Sequence, residues 1–258
     1  MYSFLDSRND HKSEKAGSNL RFSRAAKTYD RAAFIHKKVA QHLLQIIDRC
    51  VTDKRIAIPK NILDVGSGTG IFANIIQNSF SDINVTLMDV SADMLNIAIQ
   101  KYSDKFGYIV ADAKHFEEFH KYDMIVSTMA MQWFSDVKEF LLSVALENQT
   151  IAFAMPIFGT FSEWYKLLES FDIQVKHPEY KTHEDMMKIC ADVASIKHAT
   201  VREYSKKFQS PLECARYISS LGANIYDITN SLNSMKKIFQ SQHKPTLCYR
   251  VFFAVLAH

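Results

Sequence analysis

Only 4 cysteines occur in 258 residues: Cys50, Cys190, Cys214 and Cys248. They are scattered, without C-x-x-C spacing, which excludes a disulfide framework and a zinc ribbon; they read as reduced thiols of a cytoplasmic protein. His183-Glu184 has no second histidine four residues on, so no metal site is expected. No apolar run approaches the roughly 18 residues that span a bilayer, and no membrane is expected as a partner. The segment from Met1 to Asp6 turns polar within a few positions and lacks the apolar region of a secretion signal. With 7 glycines and 5 prolines, the chain contains no low-complexity tract and no internal repeat. A phosphate-cradling G-x-x-x-x-G-K-S/T run is also missing. What remains, at 47% apolar and 23% charged, is the composition of a soluble globular protein.

The net charge of +3 is unevenly spread. Residues 1–60 carry 13 Lys and Arg against 6 Asp and Glu, whereas residues 61–160 carry 5 against 12. A basic arm beside an acidic core points either to an anionic substrate or acidic partner or to a solvated helix surface. The positive charge is not gathered into an aromatic-laced stripe, so nucleic acid is not expected as a partner.

The densest signal runs from Asn61 to Gly70, N-I-L-D-V-G-S-G-T-G. An apolar strand enters a glycine turn, a helical run follows over Ile71–Ser79, and a second strand, Val85–Met88, ends in Asp89. This is a βαβ unit suited to a nucleoside-bearing cofactor, with Asp89 placed 19 residues after Gly70 to accept hydrogen bonds from ribose hydroxyls. The nicotinamide fingerprint G-x-G-x-x-G fails, because Ile71 occupies its third glycine position. Further short apolar runs at Tyr108–Ala111, Met124–Ser127 and Ile151–Ala154 alternate with helical stretches near Ala92–Tyr102 and Val137–Leu146. That alternation predicts a parallel sheet covered on both faces. Thr160–Phe171 reads as the next helix with Thr160 as its N-cap. Thr182–Cys190 and a segment opened by Pro211 read as helices, Ala199–Phe208 alternates partly like a strand, and Thr246–Ala257 reads as a closing strand.

The D-x-G-x-G-x-G pattern after an apolar strand resembles motif I of class I methyltransferases that use S-adenosylmethionine (SAM). The resemblance implies a Rossmann-like, seven-stranded sheet with helices on both faces, N-terminal helices and a substrate cap in the C-terminal half. It implies one methyltransferase domain over residues 19–258, after a flexible stretch 1–18. Within it, 19–60 would be N-terminal helices, 61–176 the SAM-binding core, 177–244 substrate-side cap elements and 245–258 the closing strand. The cofactor residues it implies are Asp64, Gly66, Ser67, Gly68, Gly70, Asp89, Val90, Met94, Asp112, Ala113 and Ser127. Asp112 is placed either toward the adenine amino group or as a helix N-cap.

A narrower resemblance is carried by Arg21-Phe22-Ser23-Arg24-Ala25-Ala26-Lys27-Thr28-Tyr29-Asp30, by Met129-Ala130-Met131-Gln132-Trp133, by Phe153 to Phe161, by Phe208-Gln209-Ser210-Pro211 and by Leu221-Gly222-Ala223-Asn224. These patches are similar to the malonyl-acyl-carrier-protein O-methyltransferases of biotin synthesis. The resemblance implies methylation of the free carboxylate of malonyl-acyl carrier protein, with the carrier as partner. Ser219 and Ser220 stand where that family often carries Arg or Lys, and Arg216 lies one turn earlier. Tyr29 matches the signature tyrosine and is the catalytic candidate; its alternative is a helix tyrosine packed on the sheet edge. Arg21, Arg24, Trp133 and Arg216 are the substrate-side candidates. A carboxylate is already ionised at neutral pH and needs alignment and dehydration rather than a strong base. No Ser-His-Asp order or carboxylate pair stands near the motifs, which agrees with that chemistry. Alternatives on the same fold are another small carboxylic acid, a quinone precursor, or a non-catalytic SAM-binding protein.

Overall fold

A computed structural model describes residues 29–173, 175, 177–221 and 232–258. The signature Arg21–Thr28, the stretch 1–18 and the Gly222-Ala223-Asn224 patch lie outside the described residues.

The long helix α1 (Phe34–Thr52) turns Ile35, Val39, Leu43, Ile46 and Ile47 inward, the i, i+4, i+8 spacing of a helix with one buried stripe. Beyond it come β1 (Asn61–Val65), α2 (Ile71–Gln77), β2 (Asn84–Asp89), α3 (Ala92–Tyr102), β3 (Gly107–Val110) and β4 (Met124–Thr128). The second half holds α4 (Val137–Ser143), β5 (Thr150–Pro156), α5 (Ser162–Glu169), α6 (His183–Val193), β6 (Ser195–Lys207), α7 (Pro211–Ser220), α8 (Leu232–Gln240) and β7 (Thr246–Ala257).

The strands form one seven-stranded sheet in the order β3-β2-β1-β4-β5-β7-β6. Strands β1 to β5 are parallel, while β7 runs antiparallel to both β5 and β6. β5 is buried along its whole length and β7 from Val251 to Ala257, as continuous apolar strands covered on both faces require. One apolar layer packs α1, α2, α5 and α7 on one side of the sheet, and a second packs α4 and α6 on the other. The order reverses at β1, with β2 on one side and β4 on the other, which opens a crevice at the C-terminal ends of these strands.

The stop and start signals are local. Ser91, Asp136 and Ser210 each accept a backbone N–H from the first turn of α3, α4 and α7. Thr182 and Asp185 form a capping box at α6. Thr160 does not cap α5, contrary to the sequence expectation: Phe161, in the left-handed region at φ 63°, holds that position. The Thr160 hydroxyl instead donates to the Arg250 carbonyl and accepts from the Arg250 amide, tying the loop to β7. Ser195–Lys207, placed by sequence among cap elements, is the edge strand of the main sheet, and α6 packs Met186, Cys190 and Val193 against the sheet.

Candidate active site

The glycine turn folds as it does because three of its residues take positive φ: Gly66 at 69°, Gly68 at 54° and Gly70 at 78°. A Cβ on Gly66 would sit 2.3 Å from the Ala130 Cβ, and one on Gly70 would meet Leu87 and Tyr102 at 2.9 and 3.0 Å. Nothing lies within 4 Å of a Cβ on Gly68, the point where the turn faces open space. The turn is strapped to β2: the Gly66 and Ser67 amides donate to the Met88 carbonyl at 2.8 and 3.1 Å. The Asp89 carboxylate accepts the Gly68 amide at 2.8 Å and the Ser91 amide at 2.8 Å. Each of its oxygens keeps capacity for a further donor, as ribose hydroxyls would supply.

The turn borders a cavity of about 270 Å³. Gly66, Ser67, Gly68, Asp89, Val90, Met94, Asp112 and Ala113 line it, together with Tyr29 and Trp133. Asp64 and Gly70 do not: Asp64 is fully buried within β1, and Gly70 is buried where the turn enters α2. Ser127 is also absent from the lining; it is buried, and its hydroxyl donates to the Val65 carbonyl at 2.9 Å, joining β4 to β1. Asp112 caps the short 3₁₀ turn Ala113–His115 through the Lys114 amide at 3.0 Å and lines the cavity at the same time. Arg216 is exposed on α7 and, among the described residues, lines neither this cavity nor the smaller one beside it. Arg21 and Arg24 lie outside the described residues.

Sequence reasoning passed over His36, Tyr180 and Tyr249, and it singled out Met129, Gln132 and Phe161 within the patches of resemblance. All six join Tyr29 and Trp133 around a smaller cavity of about 40 Å³ that shares walls with the first. Aromatic and histidine residues this far apart in sequence leave no local pattern, since β7, the Tyr180 loop and α1 meet only in the folded sheet. Met129 follows β4 at φ 56°, a strained setting for a residue with a side chain. Its carbonyl accepts from the Gln132 amide at 2.7 Å, which fixes the 3₁₀ turn Met131–Trp133 that presents the indole.

Burial governs the electrostatics. The Asp64 carboxyl is fully buried and its pKa is pushed up to about 8 by desolvation first and the Asp89 charge second. The Ala73 amide opposes this only weakly, because it lies outside hydrogen-bond geometry, and neither Asp64 oxygen has a full partner among the described residues. The Ser67 hydroxyl is likewise buried without a partner there. Asp89 is raised too, by burial, against the pull of its Ser91 and Gly68 amides. The Tyr29 hydroxyl is held above its ordinary range by burial and then by Asp89 and Asp30, so it stays a donor at neutral pH. Orphaned polar groups beneath a turn with one open glycine, beside apolar walls from Met88, Met94 and Phe72, fit a polar nucleoside cofactor carrying positive charge. Among the described residues no cluster of His, Cys, Asp and Glu could hold a metal ion, and no helix is long and apolar enough to cross a membrane.

Sheet order, glycine turn and Asp89 together define a class I, SAM-dependent methyltransferase. A family model described as a methyltransferase domain matches residues 62–145. The plantazolicin methyltransferase BpumL, solved with a triazolic desmethylPZN analog and SAH, superposes with a TM-score of 0.52 at 17% identity, covering 97% of this chain and 99% of that one. Malonyl-acyl-carrier-protein O-methyltransferase 2 of Ilyobacter polytropus is 30% identical over 217 residues, 82% of each chain. The enzyme of that name from Neorickettsia risticii is 26% identical over 240 residues, covering 92% of this chain and 94% of its own. The chain belongs to the malonyl-acyl-carrier-protein O-methyltransferases.

Proposed function

We propose that the protein transfers the methyl group of S-adenosylmethionine to the free carboxylate of a malonyl group carried on acyl carrier protein, giving the methyl ester that opens biotin precursor synthesis. The observation that carries this reading is the shared wall between two cavities: Tyr29, His36, Met129 and Trp133 border both the glycine-turn cavity and the small aromatic one. A donor in the first and an acceptor in the second would meet at that wall.

Bound there, SAM supplies an electrophilic methyl on a sulfonium. Gly66, Ser67, Gly68 and Asp89 would hold it, with Met88 and Met94 against the adenine and Asp112 at its edge. The protein's remaining task is positional. The Tyr29 hydroxyl, kept protonated, donates to a carboxylate oxygen and aims the other at the methyl. Trp133, Phe161 and Tyr249 form apolar walls that strip water from a weak nucleophile. No side chain need remove a proton, since a carboxyl group is ionised well below pH 7. Acyl carrier protein is the partner this reading requires, and a soluble, cytoplasmic setting goes with it.

Methyl transfer from labelled SAM to malonyl-acyl carrier protein, with aconitate as competitor, tests the reading. Transfer to the carrier that excess aconitate does not compete away supports it. Transfer to aconitate alone would replace it with the small-acid alternative.

A further inference from the structure

His36 stands third in α1 and borders both cavities. Its Nδ1 is buried and has no hydrogen-bond partner among the described residues. The Tyr29 ring lies 5.7 Å from it, tilted, and the Tyr249 ring 6.1 Å away, edge on, so the imidazole is held between two aromatic walls. Buried polar atoms are nearly always satisfied, so the unpartnered Nδ1 leaves the hydrogen bonding of this ring incomplete at the point where the residue borders both cavities. Desolvation puts the His36 pKa at about 4, so the ring carries no charge in the physiological range.

The surroundings decide what that partner is. Among the described residues no charged side chain lines the smaller cavity; the lining residues that carry polar side-chain groups are Tyr29, His36, Gln132, Trp133, Tyr180 and Tyr249, all neutral. An acceptor held there is gripped by neutral donors. For a carboxylate that must attack a sulfonium this is suitable chemistry. A cationic partner would hold the attacking electron pair in a charge-assisted hydrogen bond and repel the cofactor's positive charge. A neutral imidazole offers one N–H donor and one acceptor, enough to fix orientation while leaving the nucleophile free. The product ester is a weaker acceptor than the carboxylate, so the same donor lets the product go.

We propose that His36 is a substrate-contacting residue whose uncharged imidazole hydrogen-bonds the malonyl unit in the smaller cavity and sets the enzyme's preference for that acceptor. The inference rests on the function proposed above.

The test compares wild type, His36→Phe and His36→Gln in two measurements: calorimetric SAM affinity, and kcat and KM for malonyl-acyl carrier protein. His36→Phe keeps the ring and loses the hydrogen bond; it should lower kcat/KM by about tenfold or more while SAM affinity stays within about twofold. His36→Gln restores a neutral donor and acceptor and should recover most of the loss. Wild-type kcat/KM in His36→Phe would overturn the assignment. So would a parallel fall in SAM affinity that Gln does not rescue, because the ring would then be serving the fold or the cofactor. A wild-type protein that binds SAM and transfers nothing to malonyl-acyl carrier protein would instead overturn the proposed function, and this inference with it.

Discussion

The Asp30 carboxylate accepts the Thr69 hydroxyl at 2.5 Å, across 39 residues, and ion-pairs with Lys101 through its other oxygen. Thr69 sits inside the glycine turn and Lys101 near the end of α3, so one acid ties the segment bearing Tyr29 to both sides of the cofactor cradle. Asp30→Ala should therefore loosen Tyr29 and the turn together. Because both charged groups are about one-third exposed, the loss is modest, about 1 kcal/mol, and SAM affinity should fall several-fold. Calorimetry with SAM and a thermal melt check this; unchanged affinity would mean the tie has no bearing on the cradle.

The glycines of the turn should differ in what they lose. Gly66→Ala forces a Cβ against Ala130 at a positive φ and should destabilise the fold by about 1–3 kcal/mol. Gly68→Ala meets no protein atom, so only the strain of its φ acts on stability, about 1 kcal/mol, while the new methyl enters ligand space. A small shift in Tm for Gly68→Ala, combined with a loss of SAM affinity larger than that shift accounts for, is the expected result. Full affinity in that variant would move the cofactor elsewhere.

Asp64 makes apo-protein stability depend on pH. In the unfolded chain its carboxyl titrates near 3.8, and in the folded chain near 8. Below about pH 4 both states are protonated and the native state has its full advantage. As pH rises from about 4 to 8 the unfolded chain releases its proton first, and stability drops by up to about 1.4 kcal/mol per pH unit for this one group. Asp89 is shifted in the same direction and adds to the trend. A cationic cofactor stabilises the ionised form, so SAM binding near pH 6.5 should expel a proton and binding near pH 9 should not. Calorimetry in buffers of different ionisation enthalpy reads this directly; enthalpies that are the same in every buffer at pH 6.5 count against it.

Tyr29→Phe should cut turnover by about tenfold or more and leave SAM affinity intact, because it removes one hydrogen bond to the acceptor. With the hydroxyl protonated throughout, the wild-type rate should show no titration from Tyr29 between pH 6 and 9. Unchanged turnover in the Phe variant would remove Tyr29 from the site.

Much of this architecture was legible in the chain because its signals are short-range. The run into Gly66, the acid at Asp89 and the apolar strands carry period and punctuation within ten residues, and α3 falls at Ala92–Tyr102 as read. Pro211 marks the start of α7, and Thr246–Ala257 is the closing strand. What the sequence hid depends on contacts between distant segments. Ser127 follows an apolar run like a site residue, yet its hydroxyl is spent on Val65. Thr160 has the chemistry of a cap and a better partner in Arg250. β6 is only partly buried along its length, as an edge strand is, so its alternation was faint and its membership in the sheet unreadable. His36 is one helix residue among many until the fold sets Tyr249 beside it.

The place of β7 has a consequence for how the molecule is born. It lies between β5 and β6, although both precede it along the polypeptide. Once β5 has emerged and until residues 246–257 follow, the flank of β5 stays open and β6 has no neighbour in the sheet, so over that interval the nascent protein carries an unpaired, strongly apolar border. Slowing translation between the codons for β5 and β7, or withholding chaperones during that interval, should reduce soluble yield far more than it alters the finished enzyme.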